Sequence, residues 1–560
     1  MELLIVLIPL IIFLIGAYSV PKKTIKHPDD FFIAYKKVGS TPFSSSSIAY
    51  AFQVSTIYPF LLWSMAGMYF VPAINAVCWG IGIILFYFSY SKIKPYIGTD
   101  MTLHGFLGSK YGPSVRVMAS ILTIVGFTGY VIAEAYFGSR VLLPLISDEN
   151  VFYILVFFVI LYVFSYISYG GQLSSIRTDQ LQLIITYIGV FGAMIYFFYL
   201  MVVKSSIVTT PLFIGLIIII VFTPIILWLR RFRFIQLNSE HSKLNSIIDI
   251  TLNTIIVLSL VALFILSVIK IFSFDFQFGF NGLISLEGFG VFGLLSLIIL
   301  PLCWQFADIT NWQRLLAVKP SSGETDSLEK EIKRGLRTYS IESPFTWLIF
   351  LFFGILASTT LTGLSLQDLL VDIPKHLISS SLLIERILGY SFIVSVLSIM
   401  FSTIDSFIVG IIFTFVYDTY PKTRILLDKK DDEIIKKNHS KIVATGNIFG
   451  LAITLLGLSL FVFLSKTIPG GGDFFINLLL TFYTAQLAFF PLVIGVLFVK
   501  KSTTTFWALA TLVSGSFVGI VTGIYTIFFN QEYVWFPIVL SFSTSSLVFI
   551  LGTLLSKGKE

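Results

Sequence analysis

The chain has 560 residues, of which 56% are hydrophobic and only 12% charged, and its mean hydropathy is +0.92. A soluble domain carries about 25% charged residues, so this composition excludes a soluble globular protein. The net charge of +7 does not indicate nucleic-acid binding, because the basic residues cluster in loops between apolar runs.

Apolar runs of about 18–25 residues recur along the whole chain, which is the length of helix that crosses ~30 Å of hydrocarbon. Alternating patterns of about ten residues, typical of membrane strands, are absent from the sequence. The first run has neither a basic leader nor a small-residue cleavage site, so we interpret it as a retained helix rather than a signal peptide. We predict an all-α integral membrane protein with about fifteen transmembrane helices, near residues 2–20, 47–70, 76–94, 114–143, 151–168, 180–202, 210–229, 249–271, 288–306, 343–363, 388–417, 441–464, 474–499, 504–529 and 534–555.

The loops between these runs predict the orientation of the chain in the membrane. With the N-terminus outside, basic loops such as PKKTIKHPDDFFIAYKK (21–37) and VKKS (499–502) lie on the cytoplasmic side, and so does the C-terminus. The opposite loops, such as SDEN (147–150) and NQEY (530–533), contain no basic residues. We therefore expect a multi-pass protein of the plasma membrane, with the lipid bilayer as its partner and no separate soluble domain.

Two predicted spans contain a proline where a regular helix is hard to maintain, namely Pro59 in the second span and Pro301 in the ninth. Proline has no amide hydrogen and its ring clashes with the preceding turn, so we expect free backbone carbonyls between Val54 and Tyr58. Such groups are tolerated within hydrocarbon only where protein or a polar cavity satisfies them. A pair of interrupted helices in two halves of a chain indicates a binding site at the membrane midplane, although each proline alone could be an ordinary kink.

Residues 401–406 (FSTIDS) place hydroxyls and a carboxylate at the centre of an apolar run, where a carboxylate costs at least about 2.5 kcal/mol. On a helix, Ile399, Ser402, Thr403 and Ser406 share one face. The hydroxyls of Ser402 and Thr403 and the backbone carbonyl of Ile399 could combine with two carbonyls of the interrupted second span. A neutral cage of oxygens suits Na⁺ better than a divalent ion. The alternative is that the hydroxyls only bond to their own helix or hold helices together, but the adjacent Asp405 favours a site. The predicted Na⁺ ligands are Val54, Ile57, Ile399, Ser402 and Thr403.

Four stretches of the chain resemble motifs of the sodium:solute symporter family, whose members carry sugars, proline, monocarboxylates, iodide, urea and sialic acid. The resemblance covers most of the chain in the family's order. Three features depart from its pattern: Gly105 replaces a glutamate, Arg177 replaces a tryptophan, and an extra pair of spans interrupts the chain. The four stretches are TLHGFLGSKYG (102–112), YGGQLSSIRTDQLQ (169–182), ADITNWQRLLAVK (307–319) and FSTIDS (401–406).

The resemblance implies a LeuT-type fold, in which five plus five helices form inverted repeats with one leading and two trailing helices. A single polytopic domain is expected, and the inserted hairpin should lie at its periphery because the ten-helix core is complete without it. The predicted parts are a leading helix at 2–20, a first repeat at 47–203, the inserted hairpin at 204–280, a second repeat at 288–499 and two trailing helices at 504–555.

The resemblance also implies functional residues. It assigns the same Na⁺ site as the spacing does, and some family members hold a second Na⁺, which here would use Asp179, Asp405 and Ser406. In sugar-carrying members the residue matching Asp308 lines the substrate cavity, whereas Tyr483 stands where those members have a glutamine. Glu134 lies within a span, where it could pair with Arg140, face the cavity or carry a proton. The residues expected to line the solute cavity are Ser55, Thr56, Tyr58, Phe60, Trp304, Gln305, Asp308 and Tyr483.

We therefore expect a Na⁺-coupled symporter that imports a small organic solute by alternating access, with Na⁺ as its only cofactor. The solute could be an amino acid such as proline, a monocarboxylate, urea or a sugar-like molecule. A proton-coupled transporter, or a sensor or channel on the same scaffold, is the alternative. No enzymatic activity is expected, because the sequence shows no histidine-rich metal motif, no serine–histidine pairing and no cofactor loop. The sequence predicts neither the oligomeric state nor whether one or two Na⁺ are carried.

Overall fold

In the computed structural model, all regular structure of the described residues is helical, apart from an isolated bridge between Val38 and Val318. The predicted spans near 210–229 and 249–271 lie outside the described residues, so the peripheral position of the hairpin stays a prediction. The residues described are 2–66, 68, 70–96, 102–146, 148–204, 290–320, 325–361, 368–428, 431–467, 480–499, 503–529 and 535–556.

The helices of the first half of the chain follow the predicted apolar runs. Gly112, which has a φ of +108°, separates two of them, and Pro113 begins the second, where its missing N–H costs nothing. In chain order the helices are α1 (Glu2–Tyr18), α2 (Pro28–Phe32), α3 (Ser40–Ala51), α4 (Val54–Met65), α5 (Phe70–Ile93), α6 (Leu103–Tyr111), α7 (Pro113–Ser139) and α8 (Glu149–Lys204).

The helices of the second half resume beyond the undescribed segment. A π-helical turn at Phe415–Thr419 directly follows the helix that ends at Thr414. Residues 480–487 are also helical. In chain order these helices are α9 (Gly290–Ala307), α10 (Ile309–Ala317), α11 (Thr325–Thr360), α12 (Leu369–Ile378), α13 (Leu383–Thr414), α14 (Pro421–Asp428), α15 (Asp432–Thr467), α16 (Phe490–Phe498), α17 (Thr505–Phe528) and α18 (Phe536–Ser556).

The long helix α8 consists of two arms that meet at Gly171, whose φ of +56° is not helical. Residues 162–166 of the first arm contact residues 401–405 of α13 in the same order. Residues 175–196 of the second arm contact residues 405–385 of α13 in the reverse order. The two arms therefore run in opposite directions, as the separate spans predicted at this point require.

Among the described residues, nine helices are long and apolar enough to cross a membrane when the two arms of α8 are counted as one helix, and the bent pair α9 and α10 makes a tenth. The apolar stretch of α13 is 100% buried, whereas those of α15, α17 and α18 are 22%, 39% and 33% buried. Since lipid-facing helices expose apolar side chains, α13 is the centre of the bundle and these three helices lie towards its outside. The polar residues of FSTIDS therefore lie in the protein interior.

Two helices of the bundle are broken, but not at their prolines. Pro59 lies inside α4, and the first break is the non-helical pair Phe52–Gln53 between α3 and α4. Pro301 lies inside α9, and the second break is at Asp308, where α9 and α10 are bent by 43°. The prediction that the prolines interrupt these spans is therefore wrong, although both spans are interrupted.

The position of Pro301 shows how a proline fits inside a buried helix. Proline cannot donate to the carbonyl of the residue four positions before it, which here is Leu297. The side-chain amide of Asn75 on α5 donates to this carbonyl across 3.3 Å. The neighbouring helix therefore satisfies the group that the proline leaves free, and α9 continues for another turn and a half.

Candidate functional site

The last turn of α3 places backbone carbonyls against α13. The Oγ of Ser402 lies 3.0 Å from the carbonyl oxygen of Ala49, and the Oγ1 of Thr403 lies 3.1 Å from that of Phe52. The two hydroxyls also lie 3.0 and 3.1 Å from the carbonyl oxygen of Ile399, one turn earlier on α13. Five oxygen atoms from two helices thus converge in a buried place, and none of the five residues is charged.

Two of the predicted ligands are displaced from this group of oxygens. The two hydroxyls of α13 and the carbonyl before them lie together as predicted, but the carbonyls that meet them come from the end of α3. Val54 and Ile57 both belong to α4. Their assignment assumed a break at Pro59, whereas the break comes earlier, at Phe52–Gln53, and the carbonyls that meet the hydroxyls are those of Ala49 and Phe52. The assignment of Val54 and Ile57 as ligands stays a prediction.

The first turn of α4 is capped by a carboxylate from another helix. Glu134 of α7 is 0% exposed, and it accepts hydrogen bonds from the backbone N–H groups of Val54 (2.9 Å) and Ser55 (3.0 Å). The hydroxyl of Ser55 donates to the same carboxylate. Arg140, the other partner considered for Glu134, forms an ion pair with Asp368 instead. Glu134 therefore satisfies donors that the break would leave without partners.

A second polar group surrounds Asp405, one turn beyond the five oxygens. Its Oδ1 accepts hydrogen bonds from the hydroxyls of Ser175 (2.8 Å) and Ser406 (3.2 Å). Its Oδ2 accepts from the hydroxyls of Tyr166 (2.8 Å) and Thr178 (3.2 Å). Three of these four donors come from α8, so the carboxylate is surrounded by neutral donors at the junction of α8 and α13.

Asp179 and the guanidinium of Arg314 adjoin this group. Arg314 is 1% exposed, and it donates to the hydroxyls of Ser406 (2.7 Å) and Ser46 (3.1 Å). Its Nη2 lies 4.0 Å from the Oδ2 of Asp179, which also accepts from Ser46. The other carboxylate oxygen, Oδ1 of Asp179, is buried and has no hydrogen-bond partner among the described residues. The structure thus brings together Asp179, Asp405 and Ser406, around an arginine whose burial the sequence did not predict.

Asp308 lies at the second break and begins α10. Its Oδ1 accepts from the backbone N–H of Thr310 (2.8 Å), and its Oδ2 accepts from the hydroxyl of Tyr50 on α3 (2.6 Å). The side-chain oxygen of Gln305, one turn earlier, accepts from the amide of Asn311 (3.1 Å). Asp308 is therefore a helix N-cap whose second oxygen joins the two broken helices, and its predicted contact with solute stays a prediction.

Three aromatic rings meet beside the first break. The ring centroids of Tyr130 and Trp304 lie 5.5 Å apart, and Tyr483 lies 4.4 Å from the first and 5.0 Å from the second. The Tyr483 hydroxyl donates to the side-chain oxygen of Gln53 at the break (2.9 Å). The Tyr130 hydroxyl and the Trp304 indole nitrogen are buried without a hydrogen-bond partner among the described residues. Trp304 and Tyr483 were predicted to lie together; Tyr130 and Gln53 were not predicted.

The other residues predicted for the cavity are distributed along α4. Tyr58 stacks against Phe137 of α7, with ring centroids 5.9 Å apart, and it is half-buried, as are Ser55 and Thr56. Phe60 packs instead against Trp347 of α11, at 5.7 Å. The half-buried residues lie on α4 just after the break, and the ring of Phe60 belongs to the packing between α4 and α11.

A further buried polar cluster, around Asp418, lies outside this centre. Of its parts, only the motif at 102–112 is one of the four stretches that resemble the symporter family. Asp418, in the π-helical turn after α13, accepts from the Thr102 hydroxyl (2.8 Å) and from Nε of Arg116 (2.7 Å). Its Oδ2 lies 3.0 Å from Nδ1 of the buried His104. The motif at 102–112 and the aspartate that follows FSTIDS thus meet at one end of the bundle.

The arrangement of the helices is similar to that of known transporters. A solved structure of a substrate-bound, outward-open Na⁺-coupled sialic acid symporter matches with a TM-score of 0.60 and 15% identity, over 99% of this chain and 98% of that chain. Two structures of the nucleobase-cation-symport-1 family transporter Mhp1, one closed with bromovinylhydantoin bound and one inward-facing, give TM-scores of 0.46 and 0.45 at 12% and 13% identity, over 94% of this chain and 94% of each of those.

No protein-family model matches the chain, and no curated protein sequence is significantly similar to it. At 15% identity the likeness to the sialic acid symporter shows the fold alone. The predicted fold class is confirmed: the chain forms an all-helical membrane bundle of the LeuT type. Membership of the sodium:solute symporter family stays a prediction, supported by this fold and by the four sequence motifs.

Proposed function

We propose that this protein is a secondary active transporter that imports a small organic solute together with Na⁺ by alternating access. The observation that carries the proposal is the group of five neutral oxygens between the broken end of α3 and the central helix α13. Hard cations take oxygen ligands, and a cage without charged ligands suits a monovalent ion. The proposed ligands are the carbonyls of Ala49, Phe52 and Ile399 and the hydroxyls of Ser402 and Thr403.

A cation at this position would couple the broken helix to the centre of the bundle. Carbonyls of α3 and hydroxyls of α13 would both bind it, so it would stabilise the arrangement in which the two helices approach each other. A ligand shifts a conformational equilibrium only through different affinities for the two states. We propose that this arrangement is the outward-open state, so that the inward Na⁺ gradient supplies the bias for import.

A second Na⁺ beside Asp179, Asp405 and Ser406 is also proposed. The unpartnered Oδ1 of Asp179 supports it, because a buried carboxylate oxygen without a donor is costly and a cation would satisfy it. The solute would lie next to the first break, near Tyr130 and Trp304. We further infer, from the basic loops, a plasma membrane location with the N-terminus outside and the C-terminus cytoplasmic.

Transport measurements in proteoliposomes test the proposal. Uptake of labelled amino acids, monocarboxylates, urea, sugars and organic amines is measured with an inward Na⁺ gradient, with a K⁺ gradient and with a proton gradient. We expect at least one solute to accumulate with the Na⁺ gradient only. Accumulation with the proton gradient alone would contradict Na⁺ coupling and support the proton-coupled alternative.

The double variant Ser402→Ala, Thr403→Ala tests the site itself. It removes two ligand oxygens without changing charge, so the Na⁺ concentration for half-maximal uptake should rise about tenfold or more, equal to about 1.4 kcal/mol. Ser398→Ala is the matched control, because Ser398 is buried on the same helix and donates only to Val394 within that helix. Unchanged Na⁺ dependence in the double variant would show that these oxygens do not bind the ion.

A further inference from the structure

We propose that the transported solute is a small organic cation without a carboxylate, carrying a hydroxyl or carbonyl group, and that the rings of Tyr130, Trp304 and Tyr483 together with Glu134 recognise it. This inference rests on the transport function proposed above and specifies its substrate class. It would exclude monocarboxylates and zwitterionic amino acids from the candidate solutes.

The first argument concerns the two helices that begin at the breaks. The N-terminus of a half-helix inside a membrane protein is a binding place for anionic groups of a solute, because its N–H groups are free and the helix dipole is positive there. Here both places are occupied by carboxylates of the chain itself. Glu134 takes the N–H groups of Val54 and Ser55, and Asp308 takes that of Thr310. A carboxylate on the solute would meet these two carboxylates instead of free donors.

The second argument is the balance of charge in the interior. Four carboxylates near the two breaks are 0% exposed. Among the described residues one arginine or lysine is buried, namely Arg314, which is 1% exposed. If all four are ionised, Arg314 and two Na⁺ bound near α13 leave one negative charge without a counterion. Buried charges are tolerated only when paired, so a positive charge on the solute would complete the balance. The four carboxylates are those of Glu134, Asp179, Asp308 and Asp405.

The third argument comes from the aromatic rings and does not depend on the charge balance of the interior. Tyrosine and tryptophan attract cations over their faces, and most strongly where water is excluded. The indole N–H of Trp304 and the hydroxyl of Tyr130 have no partner in the described chain, and each residue is at most 1% exposed. A buried donor without an acceptor destabilises the folded state, because it has lost its hydrogen bonds to water. An oxygen atom on the solute would satisfy the indole, and the tyrosine could donate or accept.

Binding of a solute at this place would change the packing of the three rings. The three ring centroids lie 4.4–5.5 Å from one another, so the rings fill the space between them. A solute would replace ring–ring contacts and separate Tyr483 from the other two. Because Tyr483 is bonded to Gln53 at the first break, this movement would reach the carbonyls proposed to bind Na⁺.

Binding of matched compounds in the presence of Na⁺ tests the inference. The purified full-length chain is titrated with three pairs, each consisting of a cation that carries a hydroxyl and its carboxylated counterpart: choline and glycine betaine, ethanolamine and serine, and 1-amino-2-propanol and threonine. We expect at least one cation to bind about tenfold or more tightly than its counterpart. Equal or tighter binding of the carboxylated compounds, or no binding of any of the three cations, would overturn the inference.

Glu134→Gln identifies the group responsible. It keeps the size of the side chain and one acceptor oxygen but removes the charge, so the preference for the cation should fall by about tenfold. Glu342→Gln is the control, since Glu342 is also buried but lies on α11 and accepts from Tyr187. A preference that survives in Glu134→Gln would show that Glu134 is only a helix cap, contrary to the inference.

These outcomes are separable from failure of the proposed function. If Na⁺-driven uptake is observed but the carboxylated solutes are preferred, the symporter stands and this inference fails. If no solute shows Na⁺-dependent uptake while the cations still bind, the coupling fails and the substrate class stands. Na⁺ binding without solute, measured for each variant, distinguishes loss of the fold from loss of recognition.

Discussion

The two broken helices of the bundle are stabilised in different ways. At the first break, between α3 and α4, the freed N–H groups are capped by Glu134, a residue about eighty positions further along the chain. At the second break, between α9 and α10, Asp308 caps the helix that it begins, through the N–H group two residues later. The first cap depends on the packing of α7 against α4, and the second is a local property of the sequence Asp-Ile-Thr.

This difference shows what a helix needs in order to break inside a membrane. Pro59 and Pro301 both lie within helices, so a proline is not sufficient. A break requires acceptors for the N–H groups that start the next helix and donors for the carbonyls that end the previous one. At Phe52–Gln53 these partners come from α7, α11 and α13, whereas at Pro301 a single amide from Asn75 restores the bonding and the helix continues.

The largest effect is expected from removing the remote cap. Glu134→Leu leaves three donors at the start of α4 without this acceptor, the buried N–H of Val54 and two groups of the half-buried Ser55, and a buried donor left unpaired costs about 1–3 kcal/mol. We expect unfolding by SDS in micelles to occur at a clearly lower SDS fraction, with a loss of at least about 3 kcal/mol, and we expect transport to be abolished.

In that experiment, Glu134→Gln distinguishes the loss of hydrogen-bond acceptors for α4 from the loss of the negative charge. Glutamine keeps one acceptor oxygen, so its loss of stability should be smaller than that of leucine. If Glu134→Leu is as stable as the unchanged protein, the break does not depend on this carboxylate, and the contrast between the two breaks disappears.

A smaller effect is expected at the local cap. Asparagine is as good an N-cap as aspartate, so Asp308→Asn should keep the start of α10 while removing the charge. For a cationic solute, the half-saturation concentration should rise about tenfold, while the Na⁺ affinity measured without solute stays within about twofold. The reverse result, with Na⁺ binding lost and solute affinity unchanged, would place Asp308 in a cation site instead.

The smallest effect concerns the proline that does not break its helix. Asn75→Ala removes the donor to the Leu297 carbonyl and should cost about 0.6 kcal/mol, the average for side-chain hydrogen bonds between membrane helices. In a Pro301→Ala background residue 301 regains its N–H, so the same substitution should cost almost nothing. A double-mutant cycle of unfolding free energies measures this coupling, and equal costs in both backgrounds would rule it out.

The sequence by itself determined the features that depend on neighbouring residues along the chain. Apolar runs long enough to span a bilayer predicted the helical membrane bundle, which the structure and its likeness to a solved symporter confirm. Helical periodicity also placed Ile399, Ser402 and Thr403 on one face, since residues three and four apart always lie together on a helix. The cap at Asp308 is of the same kind, because donor and acceptor are two residues apart.

Only the tertiary structure decided which groups meet across the bundle. Thr403 bonds to the Phe52 carbonyl from 351 positions away, and no local pattern distinguishes that carbonyl from the one at Val54. The side chain of Glu134 reaches the first break, and the ring of Tyr130 contacts Tyr483, which bonds to Gln53 there, because α7 packs beside it; no property of α7 taken alone predicts this. The place of a break inside a membrane is set by where partners for its free backbone groups are available, and those partners are assembled by packing.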